Sequence, residues 1–140
     1  MAGFVDCVSW YDSGGPHLRV YTGKNGVVTE QAYDGNWYTG AFKANGTTVG
    51  ATSWVDSSGQ IHIRVYVGSG PDQPITEHCW DKDRWYVGAF KANGNGASAT
   101  SWLEGDQIHI RVYVRSAGGS KFTEYCWDKD RWYVGGYPGP

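Results

Sequence analysis

The sequence lacks the features that would direct it to a nucleic acid or into a membrane. Among its 140 residues, 12 are Lys or Arg and 14 are Asp or Glu, so its formal net charge is −2 and its pI is near 6.0. Nucleic-acid binding requires a basic surface, which this composition does not provide. No run approaches the ~18 apolar residues of a membrane-spanning helix. The N-terminal stretch MAGFVDCVSW has neither the basic nor the apolar region of a signal peptide. We therefore expect a soluble protein without membrane insertion, and its use outside the cell or at a cell surface stays open.

Cysteine is scarce, with three residues at Cys7, Cys79 and Cys126. An odd number this small argues against a disulfide framework. Cys79 and Cys126 stand at matching places in EHCWD and EYCWD, and Ala32 takes the same place earlier in the chain. A position that accepts either Cys or Ala is typical of a small buried side chain. We therefore favour packing at this position over a metal ligand or a nucleophile.

Helical periodicity is also missing, whereas aromatic residues and glycine are abundant. The chain holds 8 Trp, 10 Tyr and 21 Gly, with 40% apolar and 19% charged residues. This balance of apolar and charged residues is that of a globular protein. Trp and Tyr favour β-strands, and their flat rings suit a surface that stacks on sugars or bases. The composition therefore predicts an all-β protein.

The sequence does contain one unit that is repeated three times. The stretch IHIRVYV occurs at Ile61–Val67 and again at Ile108–Val114, and a variant, HLRVYTG, lies at His17–Gly23. An Arg recurs within it at steps of 45 and 47 residues, and a Glu follows at steps of 47 and 47. Such self-similarity indicates stacked structural repeats. We place the three copies at approximately residues 1–46, 47–94 and 95–140 of a single domain.

Each copy contains four short predicted strands. In the middle copy they are ATSWVD, IHIRVYV, ITEHCWD and WYVGAF, separated by the turn-forming stretches SSGQ, GSGPDQP and KDR. Four strands in about 45 residues match one blade of a β-propeller, because such a sheet needs neighbouring sheets to cover its faces. The Trp-Asp pair in CWDKDRW also occurs in WD-repeat propellers, but the Gly-His pair of that family is absent. The predicted fold is a β-propeller with three four-stranded blades per chain.

Three blades cannot close a propeller ring. In a monomer, the first and last blades would each leave a large face exposed to solvent. We therefore expect a homodimer with two-fold symmetry, in which two chains together form a ring of six blades.

Alternation along the strands gives each blade two different faces. In the middle copy, Arg64 and Glu77 fall on one side of the sheet, while Ile61, Ile63 and Trp80 fall on the other. When blades stack, the polar side of one meets the apolar side of the next and a cleft forms at each seam. A sugar needs hydrogen-bonding groups for its hydroxyls and an apolar surface for its C–H groups, so each cleft predicts a sugar site. An alternative stays open, in which Arg and Glu form a structural ion pair and the tryptophans serve only packing.

The motifs ATSW, IHIRVY, ITE-x-CWD and WY-x-GAF closely resemble those of the fucose-binding six-bladed β-propeller lectins. That family includes fungal members with six blades in one chain and short bacterial members with two repeats that trimerise. The resemblance covers essentially the whole chain. It implies a multivalent, non-catalytic lectin that binds L-fucose and fucosylated glycans between blades and needs no cofactor.

The resemblance also implies which residues bind the sugar. In the family, one blade provides an Arg, a Glu and the main chain of a small residue, and the next blade provides two Ile and two Trp. The first seam would join Arg19, Glu30 and Ala41 to Ile61, Ile63, Trp80 and Trp85. The second seam would join Arg64, Glu77 and Ala89 to Ile108, Ile110, Trp127 and Trp132.

A third site would need the first blade of a partner chain. Arg111, Glu124 and Gly136 would form its polar half, with Gly136 in place of the alanine. In its apolar half, the Ile and Trp residues of the pattern are replaced by Pro16, Leu18, Tyr33 and a shifted Trp37. These departures predict a weaker site or one with a shifted preference.

Two other functions stay open as alternatives. A glycosidase would use Glu30, Glu77 or Glu124, but such enzymes generally need a pair of carboxylates. Each seam offers one Glu beside an Arg, which favours the ionised form of the carboxylate over the acid. A propeller that serves as a scaffold for protein partners would bind through its loop tips, and its seams would be dry packing.

No set of metal ligands converges in the sequence. His17, His62 and His109 align on the Arg side of their strands, and His78 lies on the opposite side. The pattern therefore predicts no metal site.

The remaining charged and aromatic motifs are interpreted as structural. The stretches Asp81–Asp83 and Asp128–Asp130 lack the Gly and the distal Glu of a calcium loop, so we interpret them, with the Lys and Arg residues beside them, as solvated turns. We assign Trp10, Trp54 and Trp102, each of which follows a Ser, to packing within the propeller.

Overall fold

The computed structural model describes residues 4–140, which form twelve β-strands and no helix. This part of the chain therefore offers no helix that could cross a membrane. The strands form three antiparallel sheets of four, and each sheet is a meander of consecutive strands. The prediction of an all-β chain with three four-stranded blades is confirmed.

Each blade follows directly after the one before it. The first blade comprises β1 (Val5–Asp12), β2 (Gly15–Lys24), β3 (Val27–Tyr33) and β4 (Trp37–Asn45). The second comprises β5 (Thr48–Val55), β6 (Ile61–Gly68), β7 (Gln73–Trp80) and β8 (Trp85–Gly94). The third comprises β9 (Gly96–Glu104), β10 (Gln107–Arg115), β11 (Phe122–Trp127) and β12 (Trp132–Val134).

The tight turns follow from local sequence. Asn25 and Gly26 join β2 to β3 with φ angles of 56° and 78°. A two-residue hairpin of type I′ needs positive φ at both positions, and Asn-Gly meets this need at low cost.

Some strands differ in length from the sequence prediction. β8 continues through the stretch KANG to Gly94, because these residues pair with the beginning of β7, where Gln73 lies opposite Gly94. The pairing shifts by two residues between Thr76 and His78, and the first blade has the same irregularity between Thr29 and Gln31. Each irregularity therefore lies at a glutamate of the predicted sites, Glu77 or Glu30.

The three blades stack through two apolar cores. One core lies between the first and second blades and includes Tyr21, Phe42 and Val65. The other lies between the second and third blades and includes Tyr66 and Val112. Burying these side chains provides most of the stabilisation between blades, at roughly 25 cal/mol for each Å² of apolar surface removed from water.

The innermost strands approach each other closely at each seam. A Cβ atom on Gly50 of β5 would clash with the carbonyl oxygen of Ala97 on β9, so only glycine fits there. At the other seam, Asp6 accepts a hydrogen bond of 2.9 Å from the backbone N–H of Ala51. These contacts fix the spacing between blades and with it the width of the clefts further out.

Both ends of the stack expose large apolar side chains. The outer side of the first blade exposes Val5, Tyr11 and Trp37, and the outer side of the third blade exposes Trp102 and Phe122. Several large apolar side chains exposed on one side of a sheet favour association with another surface.

Candidate functional site

Each seam between blades contains one cleft, and the two clefts are built from matching residues. The first cleft encloses about 220 Å³, and its lining residues are Trp10, Arg19, Glu30, Tyr38, Gly40, Ala41, Ile61, Ile63, Trp80 and Trp85. The second cleft encloses about 170 Å³, and its lining residues are Trp54, Arg64, Glu77, Cys79, Tyr86, Gly88, Ala89, Ile108, Ile110, Trp127 and Trp132. All fourteen residues that the sequence assigns to the first two sites line these clefts. Both volumes lie below the ~300–1,000 Å³ of pockets for drug-sized ligands, and they suit a single sugar ring.

Arg64 forms the cationic part of the second cleft and is held by an aspartate. Its two terminal nitrogens donate hydrogen bonds to the two carboxylate oxygens of Asp81, at 2.8 and 3.3 Å. The guanidinium lies over the Trp54 ring, 4.9 Å from its centroid. We call this arrangement of Arg64 with Asp81 and Trp54 the clamp. A guanidinium has five N–H donors, so the clamp leaves donors free for a ligand. The favourable contact with the aromatic face adds to the clamp.

The other two blades repeat this clamp. Arg19 donates to Asp34 at 3.0 and 3.1 Å and lies over Trp10. Arg111 in the third blade is bound to Asp128 and lies over Trp102 in the same way. No ion pair within residues 4–140 joins one of these arginines to a glutamate. The structural Arg–Glu ion pair considered as an alternative is therefore wrong, and the arginine's partner is the Asp of the CWD motif or its counterpart.

A histidine contacts both the Trp and the Asp of the clamp. The His62 ring stacks on Trp54 with centroids 5.1 Å apart, and its two nitrogens lie 2.7 Å from Asp56 and 2.7 Å from Asp81. His17 lies between Asp12 and Asp34 in the first blade. Hydrogen bonds to Asp34 and Asp12 raise the pKa of His17 above its usual value. The histidines therefore lie on the Arg side, as predicted.

Asp81 is not part of a solvated turn, contrary to the sequence interpretation. Burial raises its pKa, but hydrogen bonds from Arg64, the Tyr86 hydroxyl and His62 outweigh this effect, so the pKa lies below its usual value. Asp128 is bound by Arg111, His109 and Tyr133 in the same manner. A carboxylate that stays ionised at neutral pH keeps the guanidinium fixed at the cleft.

The glutamate on the cleft floor is held as firmly as the arginine. Glu77 is 4% exposed, and one of its oxygens accepts a hydrogen bond of 2.7 Å from the Tyr66 hydroxyl. The other oxygen accepts one of 3.3 Å from the backbone N–H of Phe90. A Cβ on Gly88 would collide with this second oxygen, so the strand irregularity at Glu77 and the glycine opposite it together make room for the carboxylate.

Burial and the nearby Glu77 charge raise the pKa of Tyr66 well above its usual value. Its hydroxyl therefore stays a hydrogen-bond donor to the carboxylate at neutral pH. Tyr21 and Glu30 form the same pair in the first cleft, again at 2.7 Å.

The facing wall of each cleft is apolar. In the second cleft the rings of Trp127 and Trp132 are inclined by 55° with centroids 5.7 Å apart, beside Ile108 and Ile110. Trp80 and Trp85 have the same separation and inclination in the first cleft. Trp132 also packs edge-on against Phe90, which fixes its ring. The wall thus offers two rigid aromatic surfaces opposite the charged groups.

The residues of the third predicted site are not brought together within one chain. Arg111 and Glu124 lie on the outer side of the third blade, where Glu124 accepts a hydrogen bond of 2.7 Å from Tyr113. Leu18, Tyr33 and Trp37 lie on the first blade at the other end of the stack. The Tyr33 and Trp37 rings are 5.3 Å apart and inclined by 58°, close to the geometry of the Trp pairs in the two clefts.

Sequence reasoning missed several side chains at the clefts. Trp10 and Trp54, assigned from the sequence to packing, also line the clefts, and their rings lie against Arg19 and Arg64. Tyr38 and Tyr86 also line the clefts and donate to the clamping aspartates. The missed signal was the recurrence of Trp, Arg, Asp and Tyr in the same order in every copy. The contacts among these residues cannot be assigned without the register across strands.

The cysteines agree with the packing interpretation. Cys79 and Cys126 are each 2% exposed, and burial raises the pKa of the Cys79 thiol to about 12. A thiol with such a pKa is a poor nucleophile at neutral pH. Cys79 borders the second cleft, where Ala32 occupies the matching place in the first blade. Within the described part of the chain, no group of His, Cys, Asp and Glu is arranged to hold a metal ion.

Comparisons with known proteins identify the family. A family model described as fungal fucose-specific lectin matches residues 2–140. The chain is similar to a fucose lectin from Kordia zhangzhouensis in complex with methyl-fucoside, with 47% identity and a TM-score of 0.84 over 94% of this chain and 99% of that chain. No curated protein sequence matches.

Two structures of the Aleuria aurantia lectin are also similar. One, described as a fungal lectin with a six-bladed β-propeller fold, has 28% identity and a TM-score of 0.67 over 94% of this chain and 43% of that chain. The other, a mutant in complex with Fucalpha1-6GlcNAc, has 30% identity and a TM-score of 0.79 over 95% of this chain and 46% of that chain. This chain thus spans slightly less than half of the Aleuria lectin.

Repeat length, blade topology and the composition of the clefts all agree with these matches. The resemblance that the motifs indicated is confirmed, and the chain belongs to the fungal fucose-specific lectin family.

Proposed function

We propose that the chain binds L-fucose and fucosylated glycans in its two clefts. The observation that carries the proposal is the pairing, in one small cleft, of a clamped guanidinium and a buried carboxylate with a facing wall of Ile and Trp. The related Kordia lectin was solved with methyl-fucoside, which supports the same ligand here. The family consists of lectins, so the protein is a sugar-binding protein and not an enzyme. We place its use outside cells or at a cell surface, where fucosylated glycans are displayed.

The roles of the residues follow from their chemistry. The Arg64 guanidinium donates to sugar hydroxyls, and Glu77 accepts from them. The main chain beside Ala89 supplies a further polar contact. The Trp127 and Trp132 rings pack against the C–H groups of the sugar, and the methyl group of fucose lies against Ile108 and its neighbours.

The same wall provides selectivity for fucose. A sugar with a hydroxymethyl group in place of the methyl would bury a hydroxyl without a partner against Ile and Trp. Such an unsatisfied group costs ~1–3 kcal/mol, which corresponds to about a 5-fold to 150-fold loss of affinity. The first cleft, with Arg19 and Glu30 opposite Trp80 and Trp85, has the same design.

Isothermal titration with methyl α-L-fucoside tests the proposal. Arg64→Ala should remove the second cleft as a binding site and lower the number of sugars bound per chain by one, and Arg19→Ala should do the same for the first cleft. Arg115→Ala, at the far end of β10, is the matched control and should bind like the wild type. Unchanged stoichiometry in both cleft variants would contradict the proposal.

We also propose that two chains form a six-bladed ring in which a second copy completes the third site. The outer side of the third blade carries the same Arg111–Asp128 clamp and Glu124–Tyr113 pair as the internal clefts. The exposed outer side of the first blade carries the inclined Tyr33–Trp37 pair. Two chains of three blades match the blade number of the Aleuria aurantia lectin. Up to six sites on one ring would raise the avidity for glycan-coated surfaces well above the affinity of one site.

A further inference from the structure

Two shallow pockets lie outside the clefts, at the turns that join the last two strands of the second and third blades. One encloses about 260 Å³ and is lined by Asp81, Lys82, Asp83, Arg84 and Tyr86. The other encloses about 370 Å³ and is lined by the matching residues Asp128 to Arg131 and Tyr133. We call them the turn pockets. Tyr86 lines both its turn pocket and the second cleft, so these two cavities are neighbours.

The free charge of each turn pocket is positive. Asp81 is already bound to Arg64, His62 and Tyr86, which leaves Lys82, Asp83 and Arg84 with an excess of one positive charge. All three are exposed, and the ion pairs found within residues 4–140 involve neither Lys82 nor Arg84. The chain as a whole has a net charge of −2, so these turns depart from the overall charge.

The first blade has no such turn. Its counterpart between Tyr33 and Trp37 is one residue shorter, reads Asp-Gly-Asn and contains no Lys or Arg. Asp34, its one charged residue, is bound to Arg19. The three turns therefore differ in charge although they occupy matching places in the blades.

The order of the blades places two cationic turns beside the second cleft. The turn at Asp81 holds Arg64 on its polar side, and the turn at Asp128 directly follows Trp127 on its apolar side. The first cleft has a cationic turn on one side only, next to Trp80 and Trp85. A ligand that extends out of the second cleft on its polar side thus reaches the turn pocket at Asp81, which shares Tyr86 with that cleft. The turn pocket at Asp128 contains Tyr133 and lies with Arg111 on the outer side of the third blade.

We propose that the turn pockets are subsites for an anionic group, a sulfate ester or a carboxylate, on the sugar that is linked to a cleft-bound fucose. The subsite rests on the proposed fucose binding, and it acts most strongly at the second cleft. Lys82 and Arg84 are exposed, so their attraction for an anion is modest and is screened by salt. The expected gain is about two- to fivefold in affinity at low ionic strength.

Titration calorimetry with three disaccharides tests this subsite: Fucα1-3GlcNAc, its 6-O-sulfated form, and Fucα1-3GlcA, which carries a carboxylate. At low salt we expect tighter binding of the sulfated form, the uronate or both than of the neutral disaccharide, and the two anionic probes distinguish the sources of charge. In ~0.5 M salt the Debye length falls to a few ångströms, so the advantage should disappear while neutral binding persists.

Matched charge variants locate the effect. Replacing Lys82, Arg84, Lys129 and Arg131 by Gln should remove the anionic advantage and leave neutral binding in place. Replacing Lys24, Lys43, Lys91 and Lys121 by Gln removes the same total charge at positions away from these turns and should keep the advantage. In Arg19→Ala only the second cleft can bind fucose, and in Arg64→Ala only the first. The preference for anionic over neutral disaccharides should be larger in Arg19→Ala than in Arg64→Ala.

The outcomes separate the two proposals. Equal binding of neutral and anionic disaccharides at low salt, or an advantage that survives the four turn substitutions, would overturn the subsite while fucose binding stands. Failure of the neutral disaccharide and of methyl α-L-fucoside to bind would overturn the proposed function itself.

Discussion

At the scale of single residues, the clefts depend on side chains that are fixed before a ligand arrives. A free arginine or glutamate loses conformational entropy when it binds a sugar, which subtracts from the affinity. Here Asp81 and Trp54 already hold Arg64, and Tyr66 already holds Glu77. The cost of ordering these groups is therefore met during folding.

Asp81→Asn tests the clamp directly. The substitution removes the charge that orients Arg64 and weakens hydrogen bonds to a charged group, which are worth ~1.5–3 kcal/mol each. We expect the affinity of the second cleft for methyl α-L-fucoside to fall about tenfold or more in titration calorimetry. Asp83→Asn, in the same turn but outside the clamp, should bind like the wild type; an equal loss in both variants would refute the role of the clamp.

The sequence allows part of this site to be predicted, and the reason lies in its periodicity. Arg64, Ile63 and Trp80 belong to regular strands, so the alternation of side chains predicts their faces. Asp81 follows the end of β7, so its contact with Arg64 depends on the shape of the turn. Trp54 lies on β5, two strands away from Glu77, so its contact with Arg64 depends on the pairing register. Neither quantity can be read from a repeat pattern.

At the scale of the strands, each glutamate needs a particular arrangement of two neighbouring strands. Where β7 pairs with β8, three residues of β8 lie opposite Glu77, and Gly88, one of the three, leaves room for its carboxylate. The first blade repeats this with Glu30 and Gly40. The glycine of the WY-x-GAF motif is thus required by the glutamate of the neighbouring strand.

Gly88→Ala should therefore damage the second cleft without direct contact with the sugar. The added methyl group would displace the Glu77 carboxylate and separate it from Tyr66 and Phe90. We expect a free energy of unfolding lower by roughly 1–3 kcal/mol, measured by urea denaturation, and the loss of one sugar per chain. Gly118→Ala, with no atom closer than 4.0 Å to the new methyl group, is the control. Wild-type stoichiometry in Gly88→Ala would contradict this account.

The seam between the first two blades contains a histidine that gives it a pH dependence. His78 packs edge-on against Phe42 at 5.2 Å, and burial lowers the pKa of His78 below its usual value. The unfolded chain therefore binds more protons near pH 6 than the folded chain does. Stability from this residue is present above the usual histidine pKa of 6.5 and is lost as the pH falls through the lower pKa of the folded state.

His78→Tyr should remove this dependence. Tyr125 occupies the same place at the other seam and packs edge-on against Phe90 at 5.4 Å, so the substitution keeps the aromatic contact. We expect the stability of the variant relative to the wild type, measured by urea unfolding, to be greater at pH 5.5 than at pH 8. His17, whose raised pKa acts in the opposite direction, is present in both proteins and cancels. A difference that does not change with pH would contradict the prediction.

At the scale of the whole molecule, the outer side of the first blade exposes residues whose counterparts in the second blade are buried at a seam. Val5 in β1 is 58% exposed, whereas Val49, its counterpart in β5, is 3% exposed because the first blade covers it. Cys7 is exposed, whereas its counterpart Ala51 is 6% exposed. A second chain that covers the first blade would bury Val5 and Cys7 in the same way.

Cys7 therefore reports whether the proposed ring forms. In a closed dimer we expect its alkylation by iodoacetamide to be slow under native conditions, and sedimentation to give the mass of two chains. Val5→Arg would place an unpaired charge in the interface at a cost of several kcal/mol, so this variant should sediment as a monomer and expose Cys7 to rapid labelling. Val87→Arg is the matched control, because Val87 is 65% exposed on the outer strand of the central blade and lies away from either end of the stack. Rapid labelling of Cys7 in a wild-type monomer would refute the ring, and the third site would then lack its apolar half.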